Sequence, residues 1–179
     1  MSAQIKFVVL VGLVLLSGCA SGQAAPDPVQ SLFSQLPKPP DGSPLAKGTF
    51  VGALDGSWIL IGLVVQDNVA GVYICDGQEI SEWFGGAING GKLDLTTANQ
   101  THLVATVGAT ITGQVTLADR RTLTFTAVPA VEGKTGLFRL VEKINDEEAN
   151  VTGWIVTESA KVGRKVVAKF RGAKNLDNK

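Results

Sequence analysis

The chain has 179 residues, 16 basic and 16 acidic side chains and no formal net charge, which suits one ordinary domain and excludes a protein built to bind polyanions along its whole surface. A hydrophobic content of 45% with mean hydropathy of +0.21 excludes a wholly disordered chain. One His and two Cys exclude multi-His metal centres and Cys-rich zinc modules made by this chain alone.

In chain order, residues 1–6 carry a single positive charge, Lys6, and residues 7–16 form a continuous apolar run. Ten residues are too few to cross a bilayer, which needs about 20, but they match the length of a signal-peptide core. Leu16-Ser17-Gly18-Cys19 follows directly. It resembles the lipobox of bacterial lipoproteins, in which a branched apolar residue and two small residues precede an invariant Cys. The resemblance implies recognition of Leu16, Ser17 and Gly18 by the signal peptidase. It also implies diacylglycerol, with palmitate-type chains, on the sulfur of Cys19, cleavage before it and acylation of the new amino terminus. Only a soft nucleophile such as a thiol suits the lipid transfer, and small neighbours let the peptidase reach the bond. Several buried acyl chains, at about 0.8 kcal/mol per methylene, hold a protein at a membrane stably. The expected location is the extracytoplasmic face of a bacterial envelope, and Ala20 rather than Asp after the Cys implies the outer membrane in a diderm. Cleavage would leave 15 basic against 16 acidic residues, a charge of −1.

With Cys19 committed to lipid, Cys75 has no partner for an internal disulfide. A reactive or intermolecular thiol is one reading. The favoured one is a small buried hydrophobe within Val72-Tyr73-Ile74-Cys75, since free Cys is among the most buried residue types.

Residues 19–47 read as a tether, holding six of the seven prolines, and Pro-rich segments act as semi-rigid spacers. Within it Val29, Leu32, Phe33 and Leu36 share one helical face. Asp27 is placed to cap, Pro28 to open and Pro37 to stop a short helix over residues 28–36. Such a helix does not persist alone, so it is expected to pack against the domain, with transient contact to the membrane as the alternative.

Residues 48–172 read as an all-β domain, followed by a basic tail over 173–179. Strands are expected at 49–54, 58–66, 69–75, 80–88, 92–96, 102–107, 110–117, 122–128, 136–143, 150–158 and 165–170. They are separated by the turn signals Asp55-Gly56, Asp67-Asn68, Asp76-Gly77, Asn89-Gly90-Gly91, Ala118-Asp119 and a polar stretch at 145–148. Spacing this short makes hairpins, because parallel pairing needs long crossovers. Ile111, Gly113, Val115 and Leu117 alternate with Thr112, Gln114 and Thr116, and Leu123, Phe125 and Ala127 repeat the pattern. One face is therefore core and the other a solvated threonine face. Residues 58–65 are apolar on both faces, which points to a strand covered on both sides, with the helix around Phe33 as one cover. Gly52, Gly113, Gly136 and Gly153 each interrupt a strand pattern, as at a bend, a bulge or a close approach of backbone. The expectation is an antiparallel meander of about 8–11 strands, a barrel or a sandwich, with the barrel favoured because closure removes edges.

Chemistry is harder to find. His102 stands alone at a strand start, and no Gly-x-Ser-x-Gly, His-Glu-x-x-His or Gly-x-x-x-x-Gly-Lys motif is present. No cofactor is expected. Asp76, Glu79 and Glu82 lead into Trp83-Phe84, and carboxylates beside aromatics are what glycosidases use. Strand alternation, however, puts Glu82 and Trp83 on opposite faces, and an acidic hairpin tip is the simpler reading. Asp146-Glu147-Glu148 lacks the spacing of a calcium loop. The C-terminus is basic, with Lys161, Arg164, Lys165, Lys169, Arg171, Lys174 and Lys179 against Asp177. That end reads as an attraction for anionic lipid, wall polymers or glycans, or as an edge strand guarded by Lys. Gly56-Ser57-Trp58 resembles the Gly-x-Trp motif of the lipocalins, antiparallel barrels that bind hydrophobic ligands. Here a strand precedes it, and the Thr-Asp-Tyr second motif is missing.

The combined expectation is a lipid-anchored envelope protein whose β-domain binds a small apolar ligand or an envelope partner and no nucleic acid. The candidate surface is Asp76, Glu79, Glu82, Trp83, Lys165, Lys169 and Arg171. A carboxylate-dependent envelope hydrolase and a structural accessory subunit are the alternatives.

Overall fold

The computed structural model describes residues 27–37, 48–144, 147–158 and 165–173. Eight strands form one antiparallel sheet: β1 (Thr49–Leu54), β2 (Leu60–Gln66), β3 (Val69–Cys75), β4 (Ser81–Ala87), β5 (Lys92–Thr96), β6 (His102–Val107), β7 (Ile111–Thr116) and β8 (Thr122–Pro129). The order is β4-β3-β2-β1-β8-β7-β6-β5, so each strand pairs with its sequence neighbours and β8 returns to β1. The two edges, β4 and β5, are joined by the tight connection at residues 88–91, where an Asn89–Lys92 bridge brings them together. The sheet thus rolls into an up-and-down barrel that is nearly closed, a solution that leaves very little edge exposed.

The interior is filled by the alternate residues the sequence pattern assigns to it. Ile61 and Leu63 of β2, Val72 and Ile74 of β3, Leu93, Leu103, Ile111 and Val115 are buried together with Phe125 and Ala127 of β8. Thr112, Gln114, Thr122, Thr124 and Thr126 lie exposed on the outer face. An apolar molecule held inside the barrel therefore finds the space taken by the protein's own side chains. Gly52 and Gly113 face inward, where a Cβ would meet the backbone carbonyls of Thr126 and Val104 on neighbouring strands. Such crowding belongs to strands coiled tightly enough to close a small barrel.

The outer face of β1–β3 is also apolar and needs its own cover. Two elements supply it. Helix α1 (Pro28–Ser34) is capped by Asp27, whose side chain accepts from the Val29 N–H at 2.9 Å, and it begins with Pro at its first position. Its buried residues Leu32 and Phe33, with Leu36 just beyond, pack on the outer face of β2 and β3. The second cover is a three-stranded antiparallel sheet of β9 (Gly136–Ile144), β10 (Glu147–Glu158) and β11 (Lys165–Ala173), in the order β11-β10-β9. Leu137 and Ile155 join Val51, Leu60, Val64, Tyr73 and Cys75 in the second core, outside the barrel. This explains why the segment around Leu60 is apolar on both faces.

Several element boundaries differ from expectation by one to three residues. The strand expected from residue 58 begins at Leu60, because Ser57 holds the preceding turn and leaves Trp58 at its tip. The polar stretch at 145–148 contributes Glu147 and Glu148 to β10, paired with Ile144 and Lys143. The signal segment, Leu16, Ser17, Gly18 and Cys19, and the basic residues Lys161, Arg164, Lys174 and Lys179 lie outside the described residues.

Candidate functional site

The up-and-down path places four connections at the same end of the barrel, residues 55–59, 76–80, 97–101 and 117–121. Each is braced by its own hydrogen bonds. In the first, Leu54 N–H donates to Ile59 O at 2.8 Å, and Ser57 Oγ donates to Leu54 O at 2.8 Å while accepting from Ile59 N–H at 3.2 Å. The adjacent Trp58 cannot reach either core from this tip and is 84% exposed. In the second, Asp76 Oδ1 accepts from the backbone N–H groups of Gln78, Glu79 and Ile80 at 2.8, 3.0 and 3.0 Å. Gly77 takes φ of +80° there, a conformation that side chains resist. In the fourth, Asp119 accepts from Arg121 N–H at 3.0 Å and from Arg121 Nε at 2.6 Å. The Arg121 backbone N–H, then its guanidinium, hold the Asp119 carboxyl below its usual range.

Three of these turns surround a depression of about 360 Å³ that is open to solvent. Ile59 and Ile80 contribute apolar surface, Trp58 an aromatic face, and Ser57, Asp76, Gln78 and Arg121 polar groups. The volume falls within the lower part of the range of ligand sites, about 300–1,000 Å³. Exposed aromatic surface thus lies beside polar groups whose geometry is fixed by turn hydrogen bonds.

The residues singled out from sequence are distributed differently. Asp76 lies at this depression, while Glu79 is an exposed residue of the same turn. Glu82 faces the barrel interior, where Oε1 accepts from the buried Thr101 Oγ1 at 3.0 Å and Oε2 is buried without a hydrogen-bond partner. Trp83 lies on the opposite, outer face of β4. A paired-carboxylate site made of Asp76, Glu79 and Glu82 is therefore not assembled, because strand alternation sends Glu82 inward. Lys165, Lys169 and Arg171 belong to β11, in register with Glu158, Trp154 and Thr152; their side chains are outside the described set. His102 Nε2 is 2.8 Å from Asp94 Oδ1 in a surface pair. Among the described residues, no group of three or more His, Cys, Asp or Glu side chains is gathered to hold a metal ion.

Trp83 instead builds the join between layers. It stacks on Tyr73 with centroids 4.0 Å apart and planes 15° apart, and meets Phe33 edge-on at 5.0 Å and 78°. The Arg139 guanidinium of β9 lies 5.8 Å from the Trp83 ring centre and 6.0 Å from that of Phe33. Beside the stack, Cys75 is fully buried, as the pattern around it predicts.

Burial pushes the Cys75 thiol upward and the Tyr73 phenol far above its usual range. The folded protein keeps both protons after the unfolded chain begins to release them, first near the ordinary thiol value of 9.0 and then near the phenol value of 10.0. Their contribution to stability is complete below pH 9 and declines as pH rises through the alkaline range. Urea midpoints should hold steady between about pH 7 and 8.5 and fall from about pH 9 upward. Cys75→Ala should delay the onset of that fall.

No protein-family model matches this chain, and no characterised protein or solved structure is significantly similar to it. Trp58, Gln78 and Arg121 were not legible as site residues, because they belong to three separate turns that meet only when the barrel rolls up. The usable signal was Trp58 itself, a large apolar residue directly behind the Asp55-Gly56 turn.

Proposed function

We propose that this chain is a lipid-anchored protein of the extracytoplasmic face of a bacterial envelope, whose β-barrel binds a ligand at the depression beside Trp58. Leu16-Ser17-Gly18-Cys19 supports the anchor, with Ala20 pointing to the outer membrane where two membranes exist. The Pro-rich sequence of residues 19–47, which includes α1, lies between that motif and the barrel in the chain. Trp58 carries the binding reading. An indole left 84% in water on the wall of a depression is a costly placement for a side chain whose burial would stabilise, and contact with a ligand would recover that stabilisation.

Two measurements test these two parts. Mass spectrometry of the protein extracted from membranes should find the N-terminal residue to be acylated Cys19, and Cys19→Ser should yield a chain without lipid that leaves the membrane fraction. An unacylated wild-type chain would end the anchor reading. For binding, Trp58 is the most exposed of the three tryptophans, with Trp83 half-buried and Trp154 at 8%. Acrylamide should therefore quench chiefly Trp58, and Trp58→Phe should remove the readily quenched fraction. Envelope extracts that contain the ligand should shield it. Absence of shielding by every fraction of the native envelope would end the binding reading.

A further inference from the structure

Resting on that reading of the depression, we infer that its ligand is a neutral saccharide chain, gripped through the face of one sugar ring on Trp58. The four turns at this end carry the acids Asp55, Asp76, Glu79 and Asp119 against the bases Arg120 and Arg121. An excess of negative charge at the rim opposes phosphate-rich ligands, nucleic acid and anionic membrane surfaces. Arg121 lines the depression itself and opposes a simple organic cation stacked on Trp58, which an aromatic wall beside a carboxylate would otherwise attract. The ligand that fits both signs is neutral.

It must also satisfy a mixed set of polar groups. Asp76 is oriented by three hydrogen bonds to Oδ1, so Oδ2 is left as an acceptor outside its own turn. Arg121 uses Nε on Asp119, and its Nη groups remain as donors. The Gln78 carboxamide offers two donors and an acceptor. A hydroxyl gives one proton and takes others, so a row of sugar hydroxyls can meet carboxylate, amide and guanidinium in turn. The same ring presents a flat face of C–H groups, apolar and matched to an indole. A purely apolar ligand would leave Asp76 Oδ2 and the Arg121 Nη groups desolvated with nothing in the ligand to meet them. The open form and modest volume of the depression suit a short stretch of a longer chain.

The test uses the full-length protein and a panel of neutral oligosaccharides (cello-, malto- and chito-oligomers), with phosphatidylglycerol vesicles and an alkylamine as comparison arms. Titration calorimetry should show saturable binding of at least one oligosaccharide, weakened about tenfold or more by Trp58→Ala and largely recovered in Trp58→Phe. Gln78→Ala and Asp76→Asn should weaken it less, and Tm should be unchanged by Trp58→Ala, since the indole supports no core. Affinity should change less than about twofold as salt rises to about 0.5 M, because no ion pair is made with the ligand. Trp58-dependent binding of the vesicles or the amine, with no oligosaccharide bound, would overturn the saccharide inference while leaving the depression as a site. No Trp58-dependent binding in any arm would overturn both.

Discussion

Gly153→Val should lower the stability of this protein by about 3 kcal/mol, at the upper end of the usual cost of overpacking a filled core. Gly153 of β10 lies where the three-stranded sheet meets the outer face of the barrel. A Cβ built there would fall against the Tyr73 ring, and 2.7 Å from Cζ2 of Trp83. The stack has no room to retreat. Tyr73 is fully buried, and Trp83 is held between it and Phe33. Valine therefore either lifts β10 from the barrel or breaks the stack, and both expose Ile155 and Leu137, which are buried at the same join. Gly153→Ala should cost less because only one methyl must be accommodated. Urea unfolding followed by fluorescence reads the loss, and near-UV circular dichroism reads the Tyr73–Trp83 geometry. An unchanged urea midpoint for the valine variant would refute the close approach.

Phe33→Ala removes the main attachment of α1 and should cost about 3–5 kcal/mol of docking free energy. The Phe33 ring lies where Gly71 leaves β3 without a side chain, so that a Cβ on Gly71 would enter the ring. Its edge meets Trp83 on the neighbouring strand. Seven residues of helix have no means to persist once undocked. The Ser31, Gln35 and Leu36 N–H groups, bonded to Asp27, Leu32 and Phe33 carbonyls in the folded state, should lose protection from hydrogen exchange. Amides of β6 and β7 should keep theirs, since the barrel interior around Leu103, Ile111 and Val115 does not include Phe33. Retained protection across α1 would show that the helix is held by something other than Phe33.

Much of this architecture could be read from local pattern. Asp27, Pro28 and the spacing of Val29, Leu32 and Phe33 specify α1 almost completely, because caps and helical periodicity act within a few residues. The alternation through Ile111–Thr116 and Thr122–Pro129 specifies strands and their inner faces, since a strand that slips by one residue would turn its whole apolar set to water. The burial of Cys75 and the double covering around Leu60 were legible for the same reason. Closure into a barrel was less so, because a meander of the same hairpins can also fold as two sheets. The pairing of Phe50 with Pro129 and Leu54 with Phe125 decides it, and that contact joins residues more than seventy positions apart.

The depression depends on the same closure. Strand alternation already sets Glu82 and Trp83 on opposite faces, and the pleat keeps them so, one into the barrel and one toward the second sheet. Trp58, the turn holding Asp76 and Gln78, and Arg121 are far apart in sequence, yet rolling the sheet brings three turns to one mouth. By itself, then, the sequence determined the elements, their buried faces and the expectation of a lipid address, because hydrophobic periodicity, turn chemistry and a contiguous motif are all short-range. Only the tertiary structure decided which turns share an end, what fills the barrel and where an indole is left in water, because those are consequences of chain closure over distances that no local pattern encodes.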